Sequence, residues 1–183
     1  MTSASGTPRI AIVSPELAPG GGGVGVYAKE MAIALADHGA EAHLVIPGDE
    51  SARASATDLA SHGRKVTVHH ADDAPVVAGA PASGPPQALR SLALLIALLR
   101  AHERAPLDAI EIQDLHGVGA YLLQYARATP AFDRCPITVR LHGPLKIHRF
   151  HHRRQWLSWT DCVGDWYEAQ CLHLADARSA PTR

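Results

Sequence analysis

Short apolar runs alternate along this chain with longer stretches whose apolar positions repeat at helical spacing. Arg9 to Ser14 (RIAIVS) is rich in β-branched residues and predicts a buried first strand. Val26, Tyr27, Met31, Ile33, Ala34 and Leu35 then fall near a 3.6-residue period, which predicts a helix over 25–38 that Gly39 ends. Ala42 to Ile46 predicts a second strand, stopped by Pro47-Gly48, with a short helix around 56–60 in the polar stretch beyond it. Lys65 to His70 alternates and predicts a third strand nearer the sheet edge.

Residues 71–86 are loop by composition, and Pro86 opens a helix that Pro106 forbids beyond Arg104. Leu107 to Gln113 is the fourth predicted strand, 119–128 a helix, and Ile137 to Leu141 the fifth strand. A helix over 165–174 and a sixth strand beginning at Ala177 complete the pattern. Strands alternating with helices predict an α/β domain with a doubly wound, mainly parallel, Rossmann-like sheet spanning residues 1–183. Ligands in such sheets sit beyond the carboxyl ends of the strands. Three of those ends are chemically rich: Pro15–Gly25, Asp114–Gly117 and Arg140–Gly143.

With 183 residues and 46% apolar content, the chain is large enough for one packed core. A net charge of −1 argues against a general nucleic-acid binder. Basic residues concentrate after Asp133, so a local positive field survives the overall balance. Three cysteines with no Cys-x-x-Cys pair make no disulfide framework, and a reducing cytoplasm is the expected compartment. The polar N-terminus carries no signal core, and the longest apolar run, Leu92 to Leu99, is far below the ~20 residues a bilayer span needs.

The glycine run at 20–23, continued by Val24 and Gly25, lies between the first strand and the first helix. Glycines at such a switch let backbone N–H groups approach a phosphate or sugar, and the helix dipole favours an anion there. Gly20, Gly22 and Gly25 also satisfy the dinucleotide pattern G-x-G-x-x-G, which keeps a nucleotide-dependent oxidoreductase or epimerase open. Against it, five residues separate Ser14 from the glycines, and the second strand ends Val-Ile-Pro without the acid that holds a ribose.

Ser-Pro-Glu-Leu-Ala-Pro (14–19) before Gly-Gly-Val-Gly (22–25), with Asp37 to Pro47 after the helix, resembles the N-terminal domain of GT-B glycosyltransferases of the retaining family 4 type. Glu111-Ile-Gln-Asp114, Val139-Arg-Leu-His-Gly-Pro144 and Ala175 to Arg183 extend the resemblance in order over nearly the whole chain. Glycogen and starch synthases are more distant, since Gly20 stands where they place a lysine and Val26 where they place an aspartate. The resemblance implies hexosyl transfer from a nucleotide-sugar donor to a sugar or lipid-linked acceptor, with retention, no cofactor and no obligatory metal. It also implies a second Rossmann-like domain that holds most of the donor, so that this chain alone turns over little. A non-enzymatic glycan-binding half-domain is the alternative.

His142 is the candidate catalytic residue, because the resemblance implies that a histidine at this strand end lies beside the transferred sugar. An imidazole there can hydrogen-bond a sugar hydroxyl, or it can merely orient the turn at Gly143-Pro144. Gly22, Gly23 and Val24 are expected to approach the donor. Asp114 and His116 are expected at acceptor hydroxyls, with capping of the next helix as the alternative for Asp114. Glu16 either holds a sugar hydroxyl or braces the glycine loop. Arg140 either faces the ligand crevice or pairs with a neighbouring acid.

The stretch 134–160 carries Arg134, Arg140, Lys146, Arg149, Arg153 and Arg154 without an acid, together with Phe150, Trp156 and Trp159. One reading is peripheral contact of 146–159 with anionic lipid headgroups at the inner membrane face. The expectation is instead a solvated basic helix whose aromatics pack inward. His148, His151 and His152 make a poor metal ligand set, and no metal site is expected.

Overall fold

The computed structural model describes residues 6–17, 22–61, 65–71, 85–152 and 157–180. Gly20 and its neighbours at 18–21, the loop expected over 72–84, Arg153, Arg154, Trp156 and the end of the chain from Pro181 lie outside the described residues. The strands are β1 (Arg9–Val13), β2 (Glu41–Ile46), β3 (Val66–His70), β4 (Ala109–Gln113), β5 (Ile137–Arg140) and β6 (Ala177–Ser179). The helices are α1 (Gly23–Asp37), α2 (Glu50–Ser61), α3 (Pro86–Arg104), α4 (Ala120–Ala128), α5 (Leu145–His151) and α6 (Trp159–Leu174).

All pairings are parallel, in the order β3-β2-β1-β4-β5-β6, with β3 at the expected edge. The order reverses between β1 and β4, the switch point at which doubly wound sheets leave a crevice above their carboxyl ends. Alternating strand residues feed two cores. Ala11, Val13, Ile110, Ile112, Ile137 and Val139 pack with α3, α4 and α6. Ile12, Ala42, Leu44 and Ile46 face the other way and pack with Ala28 and Ala32 of α1 and with Ala52, Ala56 and Leu59 of α2. Strands covered on both faces read as unbroken apolar runs, which is why they were legible as buried.

Two helices are longer than their apolar periodicity suggests, and side-chain caps account for both. Asp49 Oδ1 accepts from the Ala52 N–H at 2.9 Å at the start of α2. Ser158 and Asp161 form a capping box that opens α6 at Trp159, six positions ahead of the expected Asp165.

His43 of β2 and His69 of β3 stack at 5.2 Å between ring centroids, with Nδ1 of the first 3.0 Å from Nε2 of the second. Burial lowers both, that of His69 to about 4. The unfolded chain therefore takes up protons between pH 6.5 and about 4 that the folded pair refuses, so this pair's contribution to stability is lost as pH falls through that window. Thermal melts at pH 7 and pH 4.5 are expected to show a larger acid-induced fall in wild type than in His69→Gln; equal falls would contradict this.

Candidate active site

The carboxyl ends of β1, β4 and β5 bring Glu16, Gln113, Asp114, Arg140 and His142 to one rim, beside the first turns of α1. Gly22 occupies the cap position of α1 and has no side chain to satisfy the open helical N–H groups. Glu16 supplies the missing acceptor: its Oε1 takes the Gly25 N–H at 3.1 Å. A Cβ on Gly22 would stand 3.2 Å from the same oxygen, whereas one on Gly23 would meet open space. The carboxylate thus braces the glycine turn and leaves the Gly23 and Val24 N–H groups as the donors at this helix end.

Tyr27, one turn further along α1, meets the His142 ring edge-on with centroids 4.8 Å apart. This contact joins the first helix to the end of the fifth strand. The Tyr27 hydroxyl donates to Glu111 Oε1 at 3.0 Å, and Gln113 Nε2 donates to the same oxygen at 3.2 Å. Burial and the Glu111 charge push the phenol up to about 12, so it remains a donor. A carboxylate only accepts, so the fully buried Gln113 must turn its amide N–H₂ to Glu111 and its oxygen to His142 Nε2. His142 therefore carries its proton on Nε2 and keeps Nδ1 as an acceptor. Burial, aided by Arg140, lowers its pKa against the opposing charges of Asp114, Glu111 and Glu16, and the ring stays neutral at pH 7.

Asp114 does not cap the turn that follows it. Its carboxylate reaches across to β5 instead, where Oδ1 accepts from the His142 N–H at 2.9 Å and Oδ2 from the Gly143 N–H at 3.4 Å. With 0% of its surface exposed, Asp114 commits its carboxylate to the turn after β5 rather than to a cap on the helix that follows it. Arg140 pairs with no acid among the described residues. Its guanidinium carbon lies 5.0 Å from the centre of the Tyr27 ring, and its Nε is buried without a hydrogen-bond partner.

His116 has φ of +61°, and its backbone N–H donates to Glu168 Oε1 at 3.0 Å. Glu168 Oε2 accepts from the Leu145 N–H at 2.9 Å, so one buried carboxylate of α6 ties the β4 turn to the start of α5. Burial pushes Glu168 up to about 7 against the pull of those two donors. Gly117 also has φ of +61°, and a Cβ there would lie 2.4 Å from Tyr167 Cβ and 2.5 Å from its backbone. Only glycine admits α6 so close to the turn.

Sequence reading missed Tyr27, Gln113 and Glu168 as site-building residues. Tyr27 passed as an apolar helix position, and nothing along α6 marks Glu168. The expectation for the basic segment is corrected as well. Arg149 is buried, with its Nη2 on Asp165 Oδ1 and its Nη1 3.6 Å from Asp161 Oδ1, while Phe150 and Trp159 are 79% and 76% exposed. The two aromatics point outward because the guanidinium has taken the inward place between α5 and α6.

Among protein families, the one described as Glycosyltransferase Family 4 matches residues 21–183. The chain belongs to Glycosyltransferase Family 4. That membership favours the transferase reading over the dinucleotide one. Within this family 4 domain the matched span covers the β1–α1 turn from Gly22 onward and the ends of β4 and β5. No curated protein matches the chain. Among solved structures, Glycyrrhiza uralensis UGT73P12 complexed with glycyrrhetinic acid 3-O-monoglucuronide is similar over 84% of this chain at 16% identity, with a TM-score of 0.44. The family 4 chain spans 33% of the length of that protein. A structure described as a short-chain dehydrogenase/reductase from Burkholderia xenovorans is similar over 94% of both chains at 14% identity, with a TM-score of 0.42.

Proposed function

We propose that this domain is the N-terminal, acceptor-side wall of a retaining glycosyltransferase cleft, acting on a nucleotide-sugar donor without a metal. The observation that carries the reading is a neutral His142 whose tautomer is fixed by Gln113, set against the first turns of α1. Its Nδ1 accepts from a hydroxyl of the transferred sugar. The Gly23 and Val24 N–H groups and the charge of Arg140 face the donor phosphates, with Glu16 holding the turn in shape. His116, presented by a strained turn and neutral through burial, meets the acceptor. A second Rossmann-like domain closes the cleft, and closure supplies the proximity on which transfer depends.

The test is transfer from a panel of nucleotide sugars by the chain joined to such a donor domain, and by the chain alone. Product from the joined protein only, dependent on His142, supports the reading; joined protein that binds every donor without transferring marks a binding module.

The exposed aromatics favour a surface role for 146–159. Phe150, Trp159 and Ile147 stand in solvent beside Lys146, and Trp159 and Trp166 line an apolar cleft of about 410 Å³ with Pro85. No helix among the described residues is long and apolar enough to cross a membrane. The proposed contact is therefore peripheral, with aromatics at headgroup level. Phe150→Ser with Trp159→Ser is expected to reduce co-sedimentation with phosphatidylglycerol vesicles about tenfold or more, since each ring contributes about 1.5–3 kcal/mol when buried. Unchanged sedimentation would remove the membrane role.

A further inference from the structure

Ile110 and Ile112 of β4 point into the core formed with α3, α4 and α6, so Glu111 between them turns to the other side of the sheet. There it stands level with Ile12 of β1, on the side that α1 covers. Gln113, two residues on, shares that side. The β4–β5 register sets Gln113 level with Arg140, and His142 follows two positions beyond it. Side chains from α1, β4 and the end of β5 thus join in one line: Tyr27, Glu111, Gln113 and His142.

Every hydrogen bond in that line runs toward Glu111. Its Oε1 takes the Tyr27 hydroxyl at 3.0 Å and the Gln113 Nε2 at 3.2 Å, and Gln113 Oε1 takes the His142 Nε2–H. In shape alone the Gln113 amide could be turned over, since its two ends are nearly the same size. Its Nε2 would then donate to His142 Nε2, and the ring proton would move to Nδ1. Gln113 Oε1 would face Glu111 Oε1, two acceptors with no proton between them. Gln113 is 0% exposed, so it offers no surface through which water could bridge the mismatch. An open buried acceptor disfavours the turned amide by about fivefold or more. Tyr27 imposes no such choice, because a hydroxyl both donates and accepts and would answer either group at position 111.

We infer that Glu111 is the positioning residue of this wall: by accepting from Gln113 it locks the amide and thereby fixes which nitrogen of His142 is left to accept. The inference rests on the proposed transfer reading and adds the residue that decides what the imidazole can do in it. With the lock closed, the His142 proton is committed to Gln113 and is not offered to a leaving group. The ring serves as an acceptor through Nδ1 and not as a general acid.

The test compares ring-nitrogen NMR spectra of His142 in the ligand-free chain, for wild type, Glu111→Gln, Glu111→Met and Tyr27→Phe. Glu111→Gln keeps the size of the side chain but lets an N–H₂ stand where only an acceptor stood, so the line is satisfied in either direction. Glu111→Met removes the acceptor altogether and serves as the second variant if glutamine disturbs the fold. The Nδ1-protonated share of the ring is expected to rise about fivefold or more in both, and to keep its wild-type level in Tyr27→Phe. A share unchanged in both Glu111 variants, an equal rise in Tyr27→Phe, or an Nδ1-protonated ring in wild type would each overturn the proposal. No nucleotide sugar enters these spectra. An unchanged share alongside donor-induced movement of Nδ1 in wild type removes the role of Glu111 alone, and the converse removes the donor reading alone.

Discussion

Glu168→Ala is expected to lower stability by about 2–4 kcal/mol, from two backbone donors left open at about 1–3 kcal/mol each, reduced because neither donor residue is fully buried. One carboxylate of α6 accepts from both the His116 turn and the first residue of α5. Glu168→Gln keeps one acceptor and turns an N–H₂ toward the other N–H, so about half the loss is expected. The substitution also changes pH behaviour. In the folded state this carboxyl holds its proton up to about pH 7, against 4.5 unfolded, so its contribution falls as pH rises between those values. That slope opposes the one from His43 and His69 and should vanish in Glu168→Gln. Urea midpoints across pH 4.5–7.5 read both effects; a loss below about 0.5 kcal/mol in Glu168→Ala would show that α6 does not brace the site.

His142→Ala is expected to slow transfer about a hundredfold or more in a form carrying a donor domain, the usual scale for a positioned proton or hydrogen-bond partner. In the proposed cleft the effect falls on kcat, because that reading sets the imidazole against the reacting sugar and leaves the donor phosphates to the α1 end. Gln113→Leu leaves the ring in place but removes the oxygen that fixes its tautomer. A smaller loss of about tenfold is expected there, with the pH–rate profile shifted. A threefold or smaller change in His142→Ala would assign the residue to the Gly143 turn alone.

Much of the layout was legible because β1 and β2 are buried on both faces, and Pro86 opens α3 while Pro106 stands just beyond its end at Arg104. The early start of α6 was written in Ser158 and Asp161, a capping signal that apolar periodicity does not weigh. At the site, the family motifs marked the strand ends but not the division of labour between them. Asp114 and His142 are 28 positions apart, and only the β4–β5 register turns an acid at one strand end into a clamp on the next. Glu168 lies further still, 52 positions from His116, on a helix whose apolar pattern says nothing about that bond. The outward Phe150 and Trp159 were hidden by the opposite substitution: a paired arginine occupies the inner place that apolarity would assign to a ring.

The most direct measurement is the ring-nitrogen NMR spectrum of His142, recorded at pH 7 with and without UDP-, GDP- and ADP-sugars. The account expects an Nε2-protonated neutral ring that titrates below 6.5 and whose Nδ1 signal moves on addition of at least one donor. An Nδ1-protonated or charged ring, or nitrogen signals that no nucleotide sugar moves, would contradict it.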